Sequence, residues 1–314
     1  RLSSMAGEVS RISASLDSDT PTSLMVVHLL RLLARFPLSW LHCLGALTGR
    51  VVDRVSPRFS ARVAENLERS GIEPDPVRRA RLHRRVVAEL GKGMLEVAAI
   101  WFRPIERAEK LMVAVRGWDI VDAQRARGRG VLLLTPHLGC FEIAALYTAR
   151  RVPLTILYRP PKLRWLEPLL RSGRAGGLAH LAPTTLGGVR RLLKALKAGE
   201  VVGLLPDQVP GVGEGAWAPF FGRPAFTMTL AGRLQQSTGC AVVLVVARRL
   251  PGGRGFEMDV ELFEGDLAGP DGPANLNAAV EGMIRRCPEQ YLWSYNRYKV
   301  PAGAPPLPAD EAAQ

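Results

Sequence analysis

A histidine and a glutamate five residues apart, His137 and Glu142, stand in the run Leu133-Leu134-Thr135-Pro136-His137-Leu138-Gly139-Cys140-Phe141-Glu142. Imidazole is the side chain whose ordinary pKa lets it take and return a proton near neutrality. A carboxylate beside it can fix the ring tautomer and stabilise the imidazolium that forms on proton uptake. The bare spacing fits a structural histidine near a solvated glutamate as well, so the surroundings must decide. Gly130 to Leu134 reads as a buried strand, Pro136 ends it, and Phe141 to Arg150 has helical composition. The pair therefore straddles a strand-to-helix turn, where side chains can be exposed and still be held rigidly.

Two further features could serve the same chemistry. Arg171 and Arg174 belong to a basic cluster downstream, and a guanidinium can stabilise a developing oxyanion. Pro206-Asp207-Gln208 closes another apolar run, and a carboxylate at the end of a buried strand is a candidate for a place in the site. Other chemistries find no support. There is no G-x-S-x-G nucleophile elbow, no P-loop, and no G-x-G-x-x-G opening a helix after a strand. Gly211-Val212-Gly213-Glu214-Gly215 comes near the last pattern but leads into Trp217-Ala218-Pro219, read as a loop. The four cysteines, Cys43, Cys140, Cys240 and Cys287, form no CxxC pair, and the five histidines lack metal-ligand spacing. Neither a metal nor a cofactor is expected, and a reducing compartment fits the cysteines.

The elements that must hold these residues follow from periodicity. Residues 1–22 are polar and Ser-rich and are expected to be disordered; 23–110 read as a helical, membrane-associating region, with Gly49, Pro57 and Pro74-Asp75-Pro76 as breaks. From residue 111 to 300 short apolar runs alternate with helical patterns. Strands are expected at 131–135, 154–158, 179–181, 201–205, 241–247 and 256–263, and helices at 141–150, 186–198, 228–238 and 273–286. Residues 301–314 form a Pro/Ala tail with no expected structure. The fold class is therefore α/β: a mixed, mostly parallel central sheet flanked by helices, with an N-terminal helical membrane-associating region.

Forty-two basic against 29 acidic residues leave a formal charge of +13, which points to an anionic partner. No zinc finger, helix-turn-helix or RNP-like strand supports nucleic acid. No stretch has the roughly 20 uncharged apolar residues of a spanning helix. Leu24 to Phe36 is apolar except for a stripe of His28, Arg31 and Arg35. That pattern suits a helix lying in a membrane interface, or a soluble helix packed on the core with one solvated stripe. No small-residue cleavage site follows it, which argues against a secretory signal.

Beyond single motifs, the order of several blocks resembles a known family, the late acyltransferases of lipid A biosynthesis within the glycerolipid acyltransferase superfamily. The blocks are Thr135-Pro136-His137 with Glu142, Tyr158-Arg159-Pro160, the Arg171–Arg174 region, and Lys197-Ala198-Gly199-Glu200 running to Leu205-Pro206-Asp207-Gln208. Pro219-Phe220-Phe221-Gly222-Arg223-Pro224-Ala225 and Glu289-Gln290-Tyr291-Leu292-Trp293 follow, the whole covering about 160 residues. Where family members often carry a His-Arg-Arg-like run after the tryptophan, this chain has Ser294-Tyr295-Asn296-Arg297-Tyr298-Lys299. The resemblance implies an O-acyltransferase in which His137 deprotonates a lipid hydroxyl, Glu142 holds the imidazole, and Arg174 stabilises the oxyanion. Arg159, Arg171, Asp207 and Gln208 then become substrate-binding candidates. It further implies an acyl-carrier protein or acyl-CoA donor, a lipid acceptor, and the cytoplasmic face of the bacterial inner membrane, held peripherally or monotopically. A different acceptor, such as a lysophospholipid, an ornithine-type lipid or a glycolipid, is the nearest alternative. A basic lipid-binding protein without turnover is the other.

Overall fold

The computed structural model describes residues 21–158, 167 and 177–307. Helices come first: α1 Pro21–Leu33, α2 Leu38–Val55, α3 Pro57–Arg69, α4 Pro76–Trp101 and α5 Ile105–Glu109. Then β1 Met112–Arg116, α6 Trp118–Ala126, β2 Val131–Leu134, α7 Phe141–Ala149, β3 Leu154–Tyr158 and β4 Ala179–Pro183 follow. The remainder is α8 Leu186–Lys197, β5 Val201–Leu204, β6 Gly215–Phe220, β7 Arg223–Met228, α9 Leu230–Thr238, β8 Ala241–Arg249, β9 Phe256–Phe263 and α10 Gly272–Arg286.

Seven strands form one sheet in the order β1-β9-β8-β2-β5-β3-β4. The five strands β8, β2, β5, β3 and β4 run parallel, while β9 pairs antiparallel with β8 and β1 lies parallel to β9. The expected mixed, mostly parallel sheet is what the chain builds. Strand β2 shows why it is buried on both faces: Leu132 and Leu134 enter one core cluster, Val131 and Leu133 the other. Helix α7 packs into the cluster of Val131 and Leu133 through Ile143, Ala144, Leu146 and Ala149. Helix α8 packs into the opposite one through Leu192, Ala195 and Leu196.

Crossovers on opposite faces make the boundary between β2 and β5 a topological switch point. In sheets of this kind the crevice outside the strand C-termini at such a point receives ligands.

The N-terminal helices are not set apart from this body. Val63 and Leu67 of α3 and Leu82, Val86 and Val87 of α4 share one core cluster with Leu132 and Leu134. Gly49, read from sequence as a break, lies inside α2. There it lets α2 cross α4 at backbone contact: a Cβ on Gly49 would stand 1.9 Å from the Val87 carbonyl oxygen, and one on Gly91 1.9 Å from that of Gly45.

The segment after Gly215, read as a loop, is instead a hairpin. β6 pairs antiparallel with β7, and Phe221 (φ 49°) and Gly222 (φ 69°) make its turn, both left-handed as the tightest hairpin turns demand. Pro219 and Pro224 sit opposite each other in that ladder, which a two-stranded ribbon tolerates because no further strand among the described residues needs their missing N–H groups. Strand β1 and helix α6 were also not anticipated. The tail expected over 301–314 is described to residue 307, where the Trp217 Nε1–H donates to the Pro305 carbonyl at 2.8 Å. Most of the segment expected to be disordered, residues 1–20, lies outside the described residues.

Candidate active site

Leu134 of β2 and Leu204 of β5 are direct partners in the parallel ladder, and His137 and Asp207 each stand three residues beyond them. The ladder continues through the Thr135 N–H, which donates to the Leu204 carbonyl at 3.1 Å. Equal overhang from paired positions brings the two side chains together at the switch point. His137 Nδ1 meets Asp207 Oδ1 at 2.9 Å, and the His137 backbone N–H donates to Oδ2 at 3.0 Å. Asp207 is buried, and burial on its own would raise its carboxyl. The His137 charge and the hydrogen bonds from its ring and backbone outweigh that and hold it below the usual carboxylate range. An ionised carboxylate only accepts, so in the neutral ring Nδ1 carries the proton and Nε2 is the acceptor. Nε2 receives the Gln208 side-chain amide at 3.1 Å.

The imidazole's orienting carboxylate is thus Asp207, whereas Glu142 had been expected in that place. Glu142 sits in the first turn of α7, buried, where the helix N-terminus favours a negative charge. Its Oε2 accepts from the Trp101 indole N–H at 3.1 Å. Both Asp207 and Gln208 are at the imidazole itself. Arg159, Arg171 and Arg174 lie outside the described residues. At the end of β3 the Tyr158 hydroxyl donates to Glu167 at 3.0 Å.

The loop from His137 to Cys140 is clamped from two sides. Gly139, at φ 63°, donates its N–H to the Gln290 carbonyl at 3.1 Å, and Cys140 N–H reaches the Ala247 carbonyl at 2.7 Å. A Cβ at Gly139 would come within 2.1 Å of that Ala247 oxygen. Leu292 N–H donates to the His137 carbonyl at 3.0 Å. Arg249, buried in β8, donates to the Gly139 carbonyl at 2.7 Å and forks onto both oxygens of Glu96 in α4 at 2.7 Å. The side chain of Gln290 brackets the Arg249 backbone, accepting from its N–H and donating to its carbonyl.

The stretch from Trp293 supports the other half of the site. Tyr295 Oη accepts the Val209 N–H at 3.0 Å, and Asn66 donates to the Trp293 and Tyr295 carbonyls. Buried Arg297 joins the Phe226 carbonyl, Thr227 and Asn277. Burial, with the Asp207 carboxylate nearby, pushes the Tyr291 phenol up. Trp101, Arg249, Tyr291 and Tyr295 had not been singled out for the site.

Beside the imidazole loop a small, largely apolar cavity lies between β2, β3, β5 and α7. Its walls are Leu133, Phe141, Ala145, Leu154, Ile156 and Leu205, with Glu142, Thr135 and Thr148 the polar members. Gly203 forms part of the wall, and a Cβ there would only touch Leu154 and Ile156 at 3.5 and 3.7 Å. No group of three or more metal-ligating side chains occurs among the described residues.

The arrangement offers an oriented proton acceptor next to an apolar cavity, as expected for chemistry on a hydroxyl beside a hydrocarbon chain. The profile of the bacterial lipid A biosynthesis acyltransferases matches residues 15–300. A lipid A biosynthesis lauroyltransferase of Escherichia coli (strain K12) is 30% identical over 291 residues, covering 89% of this chain and 92% of that one. A lipid A biosynthesis palmitoleoyltransferase of the same organism is 27% identical over 261 residues, covering 82% and 84%. A lipid A biosynthesis acyltransferase of Shigella flexneri is 27% identical over the same length.

Proposed function

The chain belongs to the bacterial lipid A biosynthesis acyltransferase family and is an acyltransferase, and we propose that it transfers a fatty acyl group from a thioester donor to a hydroxyl of a lipid A precursor, with His137 as general base. The observation that carries this reading is the Asp207–His137 pair, which turns Nε2 outward as the proton acceptor. The acceptor hydroxyl displaces the Gln208 amide and gives its proton to Nε2, and the Asp207 carboxylate stabilises the imidazolium. The alkoxide adds to the thioester carbonyl. Collapse of the tetrahedral intermediate expels the thiolate, which takes the proton back from the imidazolium. No covalent acyl-enzyme is needed. Glu142 contributes a carboxyl group to the cavity wall, and Arg174 remains our candidate for the oxyanion, with Arg159 and Arg171 as acceptor contacts. An assay of acyl transfer with His137→Ala and Asp207→Asn tests the reading, and near-normal turnover in either would refute it.

The acyl chain occupies the apolar cavity in this reading. Filling the space at Gly203 with leucine should shift donor preference toward shorter chains. An unchanged chain-length profile would remove the cavity from the donor site.

Membrane seating is the second part of the proposal. No helix among the described residues is long and apolar enough to cross a membrane. Yet α1 exposes Met25, Leu29 and Leu32 at spacings of four and three, while its Val27 is buried. Helix α2 exposes Trp40, Leu44, Leu47, Val51 and Val55 at spacings of three and four. Such stripes suit helices lying in a lipid interface, with Arg31, Arg35, Arg50 and Arg54 near headgroups. Leu44→Glu with Leu47→Glu should release the protein from anionic vesicles, and retained binding would argue that the stripes face another protein. The basic residues Arg190, Arg191 and Lys194 on the exposed face of α8 suit an acidic carrier for the acyl thioester. A KM for carrier-bound donor that rises steeply with salt, against a flat one for acyl-CoA, is the expected sign of that docking.

A further inference from the structure

Thr135 carries a buried hydroxyl that the fold leaves without a partner. The residue is 7% exposed, and its Oγ1 has no hydrogen-bond partner among the described residues. Other buried threonines do not share this condition: Thr148 donates to the Ala144 carbonyl at 2.9 Å and Thr227 to that of Ala225 at 3.0 Å. A buried polar group left unpaired is a cost that valine, of nearly the same shape, would avoid. Thr135 also lines the largely apolar cavity described above, and it stands two residues before His137 on the loop leaving β2. Its backbone N–H is fixed by the Leu204 carbonyl, which holds the residue at the end of β2 on the cavity wall.

We propose that Thr135 is a further catalytic residue whose hydroxyl donates a hydrogen bond to the carbonyl oxygen of the acyl thioester. This rests on the acyl-transfer reading and on the cavity as the seat of the chain. The reacting carbon must lie beside the hydroxyl that His137 activates, while the chain runs into the cavity. The carbonyl then lies at the cavity's polar rim, where Thr135 supplies a neutral donor. Glu142, the charged polar group of that cavity, cannot donate when ionised. The hydroxyl keeps its proton throughout; the bond shortens as charge develops on the carbonyl oxygen, so it stabilises the transition state more than the bound substrate.

The test compares Thr135→Val, Thr135→Ser and Thr135→Ala in the full chain, with lauroyl thioesters as donors and His137→Ala beside them. Thr135→Val should melt at or above the wild-type temperature, yet lose roughly a hundredfold in kcat with little change in KM, as for removal of one oxyanion donor. Thr135→Ser, which keeps the hydroxyl, should recover most of that loss. Should Thr135→Val fail to fold, Ser against Ala decides, since both remove the methyl and only Ser keeps the donor. Wild-type kcat in Thr135→Val, equal losses in Ser and Ala, or a rise confined to KM would each overturn the proposal. An active His137→Ala would overturn the acyl-transfer mechanism itself, whereas an inactive one beside a fully active Thr135→Val sinks the threonine's role alone.

Discussion

His137 meets Asp207 at 2.9 Å and His42 meets Glu96 at 3.2 Å, so two of the histidine–carboxylate pairs among the described residues set a buried carboxylate against an imidazole with nearly the same contact. They differ in what else reaches them. Asp207 takes a bond from the ring and another from the backbone of His137, and the imidazole side chain stays 16% exposed with Nε2 under the Gln208 amide. Glu96 is already gripped by both arms of Arg249, and the His42 side chain is 5% exposed behind α2. The first pair keeps a partly exposed ring whose second nitrogen meets only an amide, while the second is buried and ties α2, α4, β8 and the Gly139 carbonyl together. A histidine beside a carboxylate is therefore not enough for catalysis; the second ring nitrogen has to face substrate.

The strongest way to break this comparison is to remove each imidazole. His137→Ala should lower kcat by about 10²–10⁴-fold, the range for general base catalysis, without unfolding. His42→Ala should leave kcat near wild type wherever the protein is folded and instead lower the urea midpoint. The reverse pattern would exchange the two roles. Next in size comes the carboxylate contest. Asp207→Asn should approach the His137→Ala loss, and the double variant should be no worse than either single one, as for residues acting as a unit. Glu142→Gln should cost less than Asp207→Asn. If it costs more, the glutamate governs the imidazole during turnover and the Asp207 contact serves the resting enzyme.

The closed pair should show itself in stability. Glu96→Gln removes the bidentate counter-charge of the buried Arg249 guanidinium and leaves it only Glu89 at 3.5 Å, and breaking a buried pair typically costs about 3–5 kcal/mol. Arg249→Met combined with Glu96→Gln should recover part of this, and a single variant as stable as wild type would deny the pair its structural role. The smallest effect is the acid dependence. Burial would raise the Glu96 carboxyl, but Arg249 and the His42 hydrogen bond hold it below its ordinary value. Its contribution is then complete above the unfolded pKa of about 4 and fades as pH falls through the lower folded value. The Arg249→Met, Glu96→Gln double variant should accordingly lose less stability than wild type between neutrality and strong acid, read by urea midpoints across pH.

Much of this was legible along the chain. The strands at 154–158 and 256–263 have the ends that apolar periodicity assigns them, and α7 and α8 end within a residue of expectation. Local pattern suffices there because a doubly buried strand must be apolar throughout, and a helix of α8's kind must segregate its two faces. The β6–β7 ribbon escaped because two prolines and a run of glycines read as loop, and only pairing of the two segments makes them strands. Gly49 was misread for a similar reason: glycine breaks an isolated helix, but here α4 lies where a Cβ would have to go.

The site divides along the same line. His137 itself, its turn after a buried strand, and Asp207 as the end of another buried strand follow from residue types and local spacing, while Gln208 came from the family resemblance. Which carboxylate holds the ring does not. Glu142 is five residues away along the chain and Asp207 is seventy, yet β2 and β5 lie side by side with Leu134 opposite Leu204, so equal overhangs deliver Asp207 to Nδ1 while α7 carries Glu142 toward Trp101. Sequence separation sets which residues a turn can present together; strand register, which depends on burial at both faces of a sheet, sets which of them touch.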